Sequence, residues 1–436
     1  TVAHGICQSE AERLDSDMAL LRYIAWAIPA IGFIGTVRGI GDALSQAHKA
    51  VTGDISGVTE GLGVALKAIK KPVLVASFTW GFMAFMPVGV NYAAFFLLWI
   101  AVLIEGKLRT RWDRLGHGVT RFAALAFLAW SLVAFCVQSK WYAESASNLW
   151  HIFRIPLTLL IASTLSWHES RAALIGFLLA CAVCVLMILG GYFHLMPIFD
   201  FWAHLVNAGT NKTIGASILL SLAFGVVLSQ ALYAEKKQKW IWLSLLLILF
   251  FTLVFAMLKR TAMIDLAIAI LVMAVFTARE KPIYFWIALT ISMVFGTWLF
   301  FGESEVPAKF AQGVQEALSA FRGEVNLGSW NVRIQMLSHT FQMILEEPLW
   351  GWGIGSWNDQ WRMRVPQEIA DFNMPHNDAL WMAAQAGVLG GFLWIALILS
   401  HLNASWKIKN AWGASACAAI LIAIFSSLVN NGTRDA

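Results

Sequence analysis

The chain has 436 residues, 59% of them hydrophobic and only 13% charged, with a mean hydropathy of +0.67. A soluble domain carries about 25% charged residues, so this composition excludes one and calls for an all-α polytopic membrane protein, because a spanning chain must satisfy its backbone hydrogen bonds internally. The net charge of +5 is spread over short loops with no aromatic-interleaved basic patch, which excludes nucleic acid as a partner.

The twenty-two tryptophans suit two long membrane–water boundaries, where amphipathic rings collect. Of the five cysteines, Cys136, Cys181, Cys184 and Cys417 lie inside apolar runs, and only Cys7 does not. Cys181 and Cys184 form a CxxC, but hydrocarbon on both sides argues against a zinc or redox site there. No disulfide framework is expected. The first apolar run starts near Tyr23 without a basic n-region, so no cleavable signal peptide is expected either.

Residues 1–66 differ in character from the rest of the chain. Residues 20–40 read LLRYIAWAIPAIGFIGTVRGI, and residues 41–66 read GDALSQAHKAVTGDISGVTEGLGVAL. This resembles the MotA/TolQ/ExbB proton-channel family, with its GTVxGI helix, a following GD and a second helix opening GVTxGLGVA. The likeness ends at residues 67–71, KAIKK, where the second helix of that family would continue. Residues 1–66 therefore read as a truncated fusion partner, and a channel subunit would need helices that this piece lacks. The sequence Asp15-Ser16-Asp17 in this piece is a DxD, and it reads as a solvated helix face.

From residue 67 onward, eleven apolar runs approach the roughly twenty residues that cross a bilayer. They are 72–88, 90–104, 122–138, 152–167, 172–193, 213–233, 240–258, 261–278, 283–301, 379–400 and 413–430. The expected organisation is membrane helices over 67–301, a loop over 302–377 and further membrane helices over 378–436, giving about 11–12 spans. Alternate connections carry Lys67/Lys70/Lys71, Lys107–Arg121, Arg171, Lys236/Lys237/Lys239, Arg279/Lys281 and Lys407/Lys409. The positive-inside rule puts that set in the cytoplasm. The opposite side, the periplasm of a Gram-negative inner membrane, then takes 139–151, 194–212, the Lys259-Arg260 turn and the whole of 302–377. Residue 436 ends on that side as well, which leaves room for a further helix.

Nearly every chemically interesting residue falls on the outward side. Arg154 is expected to open its helix three residues after His151. Asn211 and Lys212 precede the helix from Thr213, and Lys259-Arg260 sit between two apolar runs. Charges there face a cavity or snorkel to headgroups. Within the loop, 306–321 and 331–345 have helical apolar spacing, the second carrying Arg333 and His339. Pro348 stops that helix. Gly351, Gly353 and Gly355 give a turn where backbone can come close to a ligand. Pro375 then sets His376 and Asn377 at the next helix start.

A lipid-linked sugar diphosphate needs fixed cations at the membrane boundary, and arginine grips phosphate with a planar fork that keeps its charge. Arg260 and Arg333 are the candidates, with Lys212 and Arg154 supporting. Glycosyl transfer also needs a base for the acceptor hydroxyl, and a histidine near neutral pKa suits. His376 fits that role, and direct attack would invert the anomeric centre. His151, His194, His204 and His339 have no ligand spacing with one another, so neither metal nor cofactor is expected.

From about residue 72 to the C-terminus the chain resembles the O-antigen ligases, within the wider O-antigen ligase/polymerase family. The matching pieces are KRTA at 259–262, Arg333, EPLWGWGIG at 347–355, and PHNDAL at 375–380 running into AQAGVLGG at 384–391. The resemblance implies a GT-C-like glycosyltransferase with His376 as catalytic base and Arg260 and Arg333 on the diphosphate. Asn211-Lys212 matches a less strict motif, and Lys259 and Asn377 flank the stricter ones as further substrate contacts. It also implies metal-independent transfer of O-antigen from undecaprenyl diphosphate to a sugar of lipid A–core; a monomer is expected. A polymerase or a protein O-oligosaccharyltransferase would share this core and differ in acceptor. A transporter of lipid-linked glycan would call for charges at mid-membrane depth and internal repeats, whereas the helix centres here are almost charge-free.

Overall fold

The computed structural model describes residues 71–115, 118–196, 211–278, 282–324, 327–372 and 375–429. The proton-channel-like stretch 1–66, Lys67, Lys70, Arg279, Lys281, His204 and the side chains of Asn211 and Lys212 lie outside them. All regular structure among the described residues is helical.

Each of the eleven apolar runs forms a helix. They are α1 (Pro72–Phe82, continued by a 3-10 turn Met83–Phe85), α2 (Val88–Glu105), α4 (Val119–Val137), α5 (Ser145–Thr164) and α6 (Trp167–Tyr192). After them come α7 (Asn211–Tyr233), α8 (Lys236–Phe251), α9 (Arg260–Ala278) and α10 (Pro282–Phe301), and after the loop α14 (Asp378–Trp406) and α15 (Ala411–Val429). Between these lie a short basic helix, α3 (Leu108–Arg114), and the loop helices α11 (Glu305–Phe321), α12 (Ser329–Glu346) and α13 (Trp357–Arg362). Among the described residues, eight helices are long and apolar enough to cross a membrane. The chain is a polytopic all-α membrane protein.

Two compact units divide it. Of the described residues, one holds the start of α1 and the end of α2, within 71–76 and 97–107. The other holds 77–96 and 108–436, and with them the loop and the helices around it. Inside it, one core is built where α6, α7, the end of α8 and α9 meet, around Leu220, Leu253, Met263 and Leu266. A second gathers α4, α5, α12, α13 and α14 around Phe127, Met336, Trp357, Trp361 and Trp381. Trp357, Trp361 and Trp381 are each at most 1% exposed, so part of the tryptophan content belongs to packing of the loop rather than to a membrane boundary. The helix α15 packs on α7, α9 and α14 and so touches both groups.

One sequence expectation changes here. Arg154 does not open its helix, because α5 begins at Ser145, whose polar first turn hides it from a hydropathy reading. Arg111, in the basic connection ahead of α4, has a structural partner. It is 3% exposed and grips Glu169 on α6 with Nη2 at 2.7 Å and Nη1 at 3.1 Å. Glu169 also closes a capping box with Ser166 at the start of α6, so one carboxylate fixes both the helix end and its neighbour.

Candidate functional site

The α8 helix loosens into a π turn over Thr252–Ala256, and Leu258 adopts a left-handed φ of 50°. A π turn and a non-glycine residue in the left-handed region are uncommon and collect at functional sites. They deliver Lys259 and Arg260 at the mouth of α9, facing the loop helices.

There a cavity of about 230 Å³ opens, with Lys259, Arg260, Lys309, Gln312, Ser329 and Arg333 as its polar lining. Ile214 on α7, Ile264 on α9 and Phe425 on α15 supply apolar wall. Four of the lining side chains are cationic, and no carboxylate is among the described ones. Lys259 is held below its usual pKa by burial and by Lys309. Arg333 donates from Nη1 to Ser329 Oγ at 2.6 Å and lies 5.8 Å from the Trp330 ring centroid. Burial first, then Arg260, pushes its pKa down to about 10, with Glu316 opposing. A pocket whose cations repel one another this way is poised for an anion.

Arg260 rests on α11. Its Nη1 donates to the Lys309 carbonyl at 3.4 Å, and its Nη2 lies 3.7 Å from Glu316 Oε2. Glu316 is itself held by the Trp330 backbone amide at 3.0 Å and by Gln312 Nε2 at 2.9 Å. That amide belongs to the first turn of α12, where unpaired N–H groups attract negative charge.

His376 follows Pro375 with a left-handed φ of 49°. Its Nδ1 is out of solvent and has no hydrogen-bond partner among the described residues. Burial, and then the charge of Arg333, lower its pKa to about 4. The sequence predicts a base near neutrality, whereas the folded imidazole stays uncharged well below that. Asn377 next to it caps α14, accepting from the Leu380 amide at 3.0 Å, so its side-chain oxygen has a structural task.

The glycine turn takes a different part from the one its composition suggests. Gly351, Gly353 and Gly355 have φ of 67°, 94° and 95°, and they press against neighbouring protein atoms. The stretch lies along α14, with Trp352 N–H donating to the Ala384 carbonyl at 2.9 Å, Gly353 N–H to that of Gln385 at 3.1 Å, and Val388 N–H to that of Pro348 at 2.8 Å. To make room, α14 breaks at Ala386 (φ −123°, ψ 19°) and Gly387 (φ 74°, ψ 171°). Gln385 Oε1 accepts from Gly355 N–H at 2.6 Å, Gln138 Oε1 from Ile354 N–H at 2.8 Å, and Ser145 Oγ donates to the Ile354 carbonyl at 2.7 Å. The half-helix that starts beside His376 is thereby fixed to α4 and α5.

The structure thus brings Lys259, Arg260 and Arg333 together and links His376 to them through the field of Arg333. Arg154 is 7% exposed and donates to the Tyr92 hydroxyl at 2.6 Å, away from the cavity lining. Lys309 and Gln312 went unseen in the sequence because the polar face of an amphipathic helix reads as solvated. Asp265 was also missed. It is 0% exposed in α9, a turn beyond Thr261.

Helix content, span lengths and a cation-lined cavity under a long polar loop define the class: a multi-pass membrane protein with a cavity lined by four cationic side chains. Residues 245–395, which carry Arg260, Arg333 and His376, match the family model described as O-antigen ligase. Residues 4–86 match that of the MotA/TolQ/ExbB proton channel family, a match that continues past 67–71 into α1 and the turn after it. No match to a curated protein was found.

Proposed function

We propose that the chain is an O-antigen ligase, moving a glycan from undecaprenyl diphosphate to a sugar hydroxyl of lipid A–core at the periplasmic face of the inner membrane. The observation that carries this reading is the convergence of four cations on one cavity, with Arg333 shared between that cavity and His376. The match of 245–395 to the O-antigen ligase family supports it.

In this mechanism Arg260, Arg333, Lys259 and Lys309 hold the donor diphosphate, with Lys212 as a further contact. The acceptor oxygen attacks the anomeric carbon, and its proton passes to the neutral imidazole of His376. The bond from that carbon to the diphosphate oxygen breaks, and the leaving charge stays on the cations. Inversion follows from a single displacement, and no metal is called for. A depressed pKa keeps His376 unprotonated, and the incoming diphosphate, being negative, offsets the field of Arg333 and makes the imidazole a stronger base when the donor is bound.

The test is transfer by purified protein in detergent with EDTA, from an undecaprenyl-diphosphate glycan to lipid A–core. His376→Ala is expected to lower transfer by about a hundredfold or more while undecaprenyl diphosphate still binds. Lengthening of the glycan, or modification of added protein, would keep the chemistry and replace the acceptor. Equal loss of donor affinity in His376→Ala and Arg260→Ala would end the division of roles.

A further inference from the structure

Arg260 sits across α11 at a place where that helix has no side chain. Its two contacts on α11 are the Lys309 carbonyl and the Glu316 carboxylate, and Gly313 lies between them, four residues after one and three before the other. Those intervals put all three on one face of the helix. A Cβ added at Gly313 would fall inside contact distance of Arg260 Nη1 and 3.2 Å from Arg260 Cδ and Trp330 Cδ1. Gly313 is buried and takes no positive φ, so the turn of the backbone does not require glycine here. Glycine in a helix interior is otherwise unfavourable relative to alanine. The absent side chain has one visible use, which is to let the guanidinium lie flat on the helix.

We infer that Gly313 and Glu316 form a rest that positions Arg260 for the diphosphate. The inference depends on the proposal that the cavity holds the donor. Glu316 orients the fork through Nη2, its own place fixed by the Trp330 amide and by Gln312. Gly313 sets how deep the guanidinium sits, and so how far it stands from Arg333 across the cavity. Both are positioning residues, since the chemistry reaches them only through Arg260.

The experiment is a double-mutant cycle on the full chain, read as affinity for undecaprenyl diphosphate in detergent micelles and as thermal stability. Gly313→Ala is expected to weaken binding on the order of tenfold, the scale of a displaced charge contact, while stability holds or rises because alanine favours helix. A role confined to folding would move stability down and leave affinity alone. In an Arg260→Lys background the flat fork is gone, and the same alanine is expected to cost less than about twofold. Gly313→Ser, slightly larger, serves as a second variant and is expected to exceed alanine in its effect. Equal losses in both backgrounds, or wild-type affinity in Gly313→Ala, would overturn the inference and leave the donor site standing. Wild-type affinity in Arg260→Lys and Arg260→Ala alike would remove the donor reading itself, and the inference with it.

Discussion

Residues 305–346 and residues 347–377 belong to one loop but treat their polar groups in opposite ways. The first part, α11 and α12, turns Lys309, Gln312, Ser329 and Arg333 toward a cavity, where cations crowd one another. The second uses its backbone amides and carbonyls on α14, α4 and α5 and carries left-handed glycines that fit only against those neighbours. In the cavity, burial and then Lys309 lower the pKa of Lys259, and burial and then Arg260 lower that of Arg333, even though Glu316 and Glu305 pair with Arg260 and Lys309. The adjoining segment supplies rigidity and keeps His376 in place. The difference teaches that the glycine-rich motif packs as scaffold, and that cavity-lining groups of the loop sit on helices whose sequences look ordinary.

The strongest way to break this comparison is to put a side chain on α14 where the tight half packs against it. Gly387 combines φ 74° with a Cβ position that would strike the Leu349 carbonyl. Gly387→Ala is expected to lower stability by about 3 kcal/mol or more, strain and a lost strand-like contact together. Gly323 has φ 81° with nothing within 4 Å, so Gly323→Ala carries the conformational cost alone, about 1 kcal/mol. Thermal unfolding in detergent compares the two, and equal shifts would mean that the second half is no more tightly built than the first.

A smaller change tests whether that rigidity serves the chemistry. Gln385→Leu removes the acceptor of the Gly355 amide and is expected to cost about 1–3 kcal/mol for the buried group left unpaired. Transfer should fall while undecaprenyl diphosphate binding stays, because Gln385 is not among the described lining residues of the cavity. Loss of donor binding instead would show that the two halves do not act separately.

Hydropathy made the helices legible because each apolar run must satisfy its own backbone, and the span positions follow from that alone. It did not reveal α3 or the first turn of α5, whose residues are polar, nor the break in α14. That break arises from a partner at residues 348–353, and no local pattern encodes a pairing across more than thirty residues. The site was legible in part. Arg260, Arg333 and His376 stand out as fixed cations and a titratable group on the outward side, at positions that match the motifs of the O-antigen ligase resemblance. Lys309 does not, since it sits in an amphipathic helix like many surface lysines. Gly313 was invisible for a further reason: its role is to lack atoms, and only the position of Arg260 shows which atoms are missing.

The smallest expected effect sharpens the link between the halves, which runs through Arg333. A free imidazole protonates near pH 6.5, whereas folded His376 does so near 4, from burial first and Arg333 second. The proposed base acts when neutral, so kcat/KM for the donor, which reports the donor-free enzyme, is expected to stay level through pH 6 and to fall only as pH approaches about 4. Stability follows the same sign. The unfolded chain takes up a proton at His376 before the folded one does, so the contribution of this group is complete above pH 6.5 and declines as pH drops toward 4. Arg333→Gln removes the second cause and leaves the first. Its acid limb should move upward yet remain below 6.5, whatever the overall rate becomes, because the limb of kcat/KM for the donor reports protonation of the donor-free enzyme. A limb at 6.5 in both proteins would mean that His376 is solvated rather than held against the arginine. An unmoved limb in Arg333→Gln would mean that burial alone sets it, and the charged half of the loop would then have no electrical hold on the rigid one.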